Sequence, residues 1–153
     1  MEPTRVHVAR FLVAGLTVRT INLDEFKPES AKIPALWGRF FSDYLPGKIP
    51  NQSPETPVFG VYSAYESDAS GQFNVTAGVS VTSPTPDFDL IEIQEGDYLV
   101  FEAHGPMPAA VIQAWMSVWT YFQLHPQVQR SFATDFEQYR GADAVQIHIG
   151  VAS

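Results

Sequence analysis

The chain has 153 residues, enough for one domain that buries roughly two-thirds of the surface its unfolded form exposes. It contains no cysteine, which excludes disulfides, a thiol nucleophile and Cys-ligated metal. Its formal net charge of −8, with few lysines, makes a duplex phosphate backbone a poor partner and suits neutral or cationic ligands better.

In chain order, Arg5–Thr20 places Val6, Val8, Leu12, Ala14, Leu16 and Val18 at every second position, broken only by Arg10. This predicts one long strand, bent at Gly15. The Asn22–Pro28 segment is a polar connection. A helix is predicted from Ser30 to Tyr44, with Ile33, Leu36, Trp37, Phe40 and Phe41 at helical spacing. Pro34 fits only its first turn, which moves the start toward Lys32. Pro46 and Gly47 end it, and Asn51–Thr56, with Pro54, is a turn-rich link. Pro57–Tyr65 and Gln72–Thr82 are predicted strands joined by the polar Glu66–Gly71 loop. Ser83–Glu95 carries two prolines and four acids and is expected to be a solvated loop. Tyr98–Ala103 is a strand, stopped by Gly105-Pro106-Met107-Pro108, with Pro108 suited to a first helical turn. In the helix that follows, Val111, Trp115, Val118, Trp119 and Phe122 form one apolar face. Leu124–Arg130 is a connection to two last strands, Phe132–Tyr139 and Ala144–Val151, joined by a turn at Arg140–Asp143.

The second half repeats the first: strand, helix, hairpin. Ile33-Pro-Ala-Leu-Trp37 and Phe41 align with Val111-Ile-Gln-Ala-Trp115 and Trp119 at one constant offset, the mark of an internal duplication. The expected fold is α+β, a tandem β-α-β-β duplication spanning about residues 5–82 and 96–151. It forms one antiparallel sheet with both helices on one face. A cleft is expected where the helices diverge.

No Gly-rich phosphate loop, nucleophile elbow or metal-spaced His pair is present, and no metal or cofactor is expected. His7, His104, His125 and His148 are scattered. Trp37, Trp115 and Trp119 read first as core, with a cleft wall as the alternative. In Asp135-Phe136-Glu137-Gln138-Tyr139, Glu137 shares a strand face with Asp135 and Tyr139. Under an aromatic cleft its burial would raise its pKa, and a bound cation would restore the charged form. Neighbouring rings would add cation–π attraction. Glu66, after Tyr65, is the matching carboxylate expected in the first half.

Phe59-Gly-Val-Tyr62, Tyr65-Glu66-x-Asp68, Gly71 before a strand, Gly96-Asp-Tyr98 with Phe101, Gly105-Pro106, Trp115 with Trp119, and Asp135-Phe-Glu137-x-Tyr139 together resemble the GyrI-like small-molecule-binding domain. This family includes effector-binding halves of AraC- and MerR-type multidrug regulators. The resemblance runs along nearly the whole chain. It implies a central cleft for amphipathic, often cationic, molecules, with Glu137 as the buried acid and Tyr139, Trp115, Trp119, Trp37 and Tyr62 as ligand-binding neighbours. It also implies an alternative, hydrolysis of strained, cyclopropane-bearing toxins by cleft carboxylates, for which Glu137 and Glu66 are the catalytic candidates.

No helix-turn-helix segment accompanies the domain, so a stand-alone module is expected, with any regulatory role passing through a separate DNA-binding partner. The N-terminus shows no secretion signal, and the Phe11–Leu16 apolar run is too short to span a bilayer. A soluble, cytoplasmic protein without membrane or direct nucleic-acid contact is the expectation.

Overall fold

Alternating apolar residues build eight strands that join in one antiparallel sheet among the described residues. The computed structural model describes residues 3–25, 27, 29–43, 45–52, 57–67, 71–107, 109–141 and 143–152. Expectations placed on Pro28, Tyr44, Pro54, Asp68 and Pro108 lie outside them. In chain order the elements are β1 (Thr4–Val8), β2 (Phe11–Ile21), α1 (Asn22–Glu25), α2 (Ile33–Ser42), α3 (Leu45–Lys48), β3 (Val58–Ser63), β4 (Gln72–Val81), β5 (Asp89–Ile93), β6 (Gly96–His104), α4 (Ala109–Leu124), β7 (Arg130–Tyr139) and β8 (Ala144–Val151).

The sheet order is β1-β6-β8-β7-β3-β4-β2-β5. The repeats β2-α2-β3-β4 and β6-α4-β7-β8 thus meet at the central β3·β7 pair, as the duplication predicts. Helix α2 packs on β2 and β4, and α4 packs on β6 and β8. Each helix covers its own apolar cluster, one built on Leu36, Phe40, Val75 and Val79, the other on Leu99, Val118, Ile147 and Ile149. Helix α2 starts at Ile33 with Pro34 in its first turn, the position where a missing N–H costs nothing.

Several expectations are corrected: the Asn22–Pro28 connection contains the short helix α1, and Pro46 and Gly47, expected to stop a helix, lie within the short helix α3. The long Arg5–Thr20 strand is two strands, broken at Ala9 and Arg10 and not at Gly15, through which β2 runs unbroken. Glycine is required there for another reason: a Cβ at Gly15 would lie 1.8 Å from the carbonyl oxygen of Ala77 on the neighbouring strand. The acidic Ser83–Glu95 segment is not all loop, because Asp89–Ile93 forms β5. Only Ile91 and Ile93 turn inward from that short edge strand, while Asp89, Leu90 and Glu92 are exposed, so its composition resembles a loop. Charged residues on an edge also block pairing with another chain.

These two extra strands change the topology. β1 leads directly into β2 but pairs with β6, and β5 leads into β6 but pairs with β2. In a flat sheet β1 and β2 would lie about 29 Å apart at the usual strand spacing. Yet the link from Val8 to Phe11 reaches at most about 11 Å. The sheet therefore curls until its ends approach. Phe59, Val61, Ile93, Tyr98, Phe136 and Val13 fill the inside of the curl, away from the helices. Among the described residues, no helix is long and apolar enough to cross a membrane.

Candidate functional site

The β3·β7 junction sets the site. Period-two alternation sends Phe59, Val61 and Phe136 into the curl, and Tyr62, Glu137 and Tyr139 toward the helices. Between α2 and α4, over these two strands, lies a cleft of about 1700 Å³. Its wall includes all six residues that the sequence nominates for ligand contact: Glu137, Tyr139, Trp115, Trp119, Trp37 and Tyr62.

Glu137 is 3% exposed. Its Oε2 accepts hydrogen bonds from the Tyr62 hydroxyl (2.7 Å) and from Trp115 Nε1 (2.6 Å), and its Oε1 accepts one from the Tyr139 hydroxyl (2.8 Å). All three donors are neutral, and among the described residues no basic side chain forms an ion pair with Glu137. Burial pushes its carboxyl above the ordinary value, and the three donated hydrogen bonds only partly offset that. Burial and the adjacent carboxylate likewise push the Tyr62 and Tyr139 phenols well up, so both stay protonated as donors.

The aromatic rings pair across the two halves. Tyr62 of the first half meets Trp115 of the second at 5.0 Å between centroids, and Tyr139 of the second meets Trp37 of the first at 5.4 Å. Trp37 stacks on Phe41, and Trp115 lies 6.2 Å from Trp119, matching the repeat in the sequence.

Glu66 does not join this group. It is exposed, is not part of the cleft wall, and its Oε1 accepts a 3.4 Å hydrogen bond from the Gln72 amide. The expected pair of converging carboxylates, Glu66 with Glu137, is therefore not formed. The first-half residue facing Glu137 is Gly60, its direct partner in the strand register. A signal for this lies in the sequence: Phe59-Gly60-Val61-Tyr62 repeats as Phe136-Glu137-Gln138-Tyr139, so Gly60 and Glu137 occupy equivalent places. A Cβ at Gly60 would come within 2.6 Å of Glu137 Oε1, so the glycine makes the space that the carboxylate fills.

Further polar groups border the cleft, among them Arg130 and Glu25. Arg130 pairs with fully buried Asp135 at 2.7 Å, and Asp135 also accepts from the Tyr65 hydroxyl and the Gly150 amide. The Arg130 guanidinium lies 4.4 Å from the Phe132 ring centroid, in cation–π range. Glu25, in what the sequence presents as a plain polar connection, accepts from the Lys32 and Ile33 amides and holds the start of α2. No sequence pattern marks that long-reach contact.

A curled sheet of two repeats, two helices on its outer face and an aromatic cleft with one buried acid over the central strands define a GyrI-like effector-binding domain. The chain belongs to the Cass2 family of integron-associated effector-binding proteins, whose family model matches residues 6–151. It is similar to an integron cassette protein from the mobile metagenome of Vibrio cholerae, with 36% identity over 99% of this chain and 96% of that one, at a TM-score of 0.86. It shares its fold with SAV2435, solved with tetraphenylphosphonium, at 21% identity, TM-score 0.80, over 100% of this chain and 95% of that one. It also shares the fold of the EcmrR C-terminal domain, at 10% identity, TM-score 0.58, over 99% and 98%. No curated protein sequence matches the chain. The domain is an effector-binding module.

Proposed function

We propose that the cleft binds small amphipathic cations in the cytoplasm, with Glu137 selecting positive charge and Tyr62, Trp37, Trp115, Trp119 and Tyr139 supplying the aromatic walls. The observation that carries this reading is a buried carboxylate whose hydrogen-bond partners are all neutral. Such a group is costly to ionise in an empty cleft and gains most from an incoming cation. Rings around it add attraction of about 0.5–2 kcal/mol per cation–π contact. The fold shared with SAV2435, solved with tetraphenylphosphonium, supports the same ligand class.

The test is Glu137→Gln, titrated with tetraphenylphosphonium and with neutral triphenylphosphine oxide by tryptophan fluorescence. Gln keeps the shape and can still bond all three neighbours. Loss of the charge is expected to weaken the cation by about 30-fold, equivalent to roughly 2 kcal/mol, and the neutral compound far less. Equal losses would refute charge selection. Chromatography after the titration should recover both compounds unchanged.

A further inference from the structure

The two halves of the cleft are matched in their aromatic rings, but a single buried carboxylate, Glu137, stands between them. Gly60 and Glu137 are direct partners in the antiparallel β3·β7 pair and equivalents in the repeat. An operation that exchanges the halves must therefore pass between these two residues. On one side of that axis stand Trp37 and Phe41, with Tyr139 against Trp37. On the other stand Trp119 and Trp115, with Tyr62 against Trp115. Duplication alone would have placed two acids, or two glycines, at the middle. Here one copy carries the carboxylate and the other is emptied to admit it.

We infer that the cleft is specific for cations whose charge lies at the midpoint between two aromatic arms, and disfavours cations with the charge at one end. This rests on the cation-binding reading above and adds the position of the charge. A central cation reaches Glu137 while each arm lies in one aromatic lobe. A terminal cation that reaches Glu137 fills one lobe and leaves the other in contact with water, forfeiting apolar burial there. Space does not prevent double occupation: the cleft volume of about 1700 Å³ exceeds the roughly 300–1,000 Å³ of ordinary ligand sites.

Two isomeric quaternary ammonium ions provide the test, because both carry two phenyl rings and one permanent charge. Dibenzyldimethylammonium has its charge between the rings; (4-phenylbenzyl)trimethylammonium has it at one end. Both are titrated by calorimetry into the wild-type chain and into Glu137→Gln, Phe41→Ala and Trp119→Ala. Phe41 is 53% exposed, so its truncation leaves the fold intact. The central isomer is expected to bind the wild type at least about tenfold more tightly, and to lose affinity in both Phe41→Ala and Trp119→Ala. Equal affinity for the isomers with both still dependent on Glu137, or tighter binding of the terminal isomer, overturns this inference and leaves charge selection standing. A central-isomer loss confined to one lobe variant also overturns it. Affinity for both isomers that is indifferent to Glu137→Gln refutes charge selection itself, and this inference with it.

Discussion

A methyl group added at Gly60 would sit 2.6 Å from Oε1 of Glu137 and 3.1 Å from the Trp37 ring. Gly60 is not among the positive-φ glycines, so alanine strains no backbone there and its effect falls on the carboxylate. Gly60→Ala is expected to displace Glu137 from the Tyr139 hydroxyl and weaken tetraphenylphosphonium by about tenfold, the worth of one charge-assisted hydrogen bond. The urea midpoint should fall as well, by the equivalent of about 1–2 kcal/mol, because the same bond is formed in the empty fold. Arg130 carries a larger risk to stability. Its side chain is 9% exposed and pairs with an Asp135 that is 0% exposed. Arg130→Met strands a buried carboxylate, and a stability loss of roughly 3–5 kcal/mol is expected in urea denaturation. At this scale the sequence was partly legible. Period two placed Glu137 and Tyr139 on one face, and helical spacing placed the tryptophans on another. It pointed to Glu66, which follows Tyr65 at the end of its predicted strand, as the twin of Glu137. The true twin is a glycine, which announces itself only through what stands opposite.

Among elements, α2 depends on a residue outside itself. Lys32, at its N-cap, makes no side-chain capping bond, and Glu25 takes the Lys32 and Ile33 amides instead. Glu25→Ala should cost about 1 kcal/mol, as loss of a cap does, while Glu25→Gln keeps most of it. Because Trp37 and Phe41 ride on α2, the alanine variant should also show a several-fold weaker titration. Both helices were legible, since an apolar stripe survives whatever the helix packs on. β1 and β5 were not. A strand short enough to bury two side chains carries little pattern, and what makes it a strand is a partner half the chain away. The same distance hides the Gly15 constraint, which comes from the backbone of Ala77 and not from any bend.

For the molecule as a whole, acid acts through two buried groups of opposite sign. His148 lies against Phe136, 4.2 Å between ring centroids, and burial lowers its pKa from the ordinary 6.5 to about 4. The unfolded chain binds this proton first, so stability is full above pH 6.5 and is lost as pH falls toward 4, by about 3 kcal/mol at most. Glu137 behaves in reverse. Its carboxyl is raised in the folded state, so the folded chain binds the proton first and gains stability as pH drops through that raised value. Over pH 7 to 5 the urea midpoint should fall more steeply for the wild type than for His148→Gln, in which only the opposing Glu137 contribution remains. Cation affinity should weaken over the acid range as Glu137 takes up its proton, and lose that dependence in Glu137→Gln.

The exchange of edge strands also governs how the chain reaches its native state. Neither repeat can complete its own sheet, because β1 finds its partner only after β6 has been made, and β5 caps a strand laid down near the start. Such long-range pairings give a high contact order and a slow search. They also remove any stable half-way species in which one repeat stands finished alone. Unfolding followed by tryptophan fluorescence and by far-ultraviolet circular dichroism should therefore trace one coincident transition. A chain cut between β4 and β5 should give two fragments that are unstructured apart and regain the cleft only when mixed.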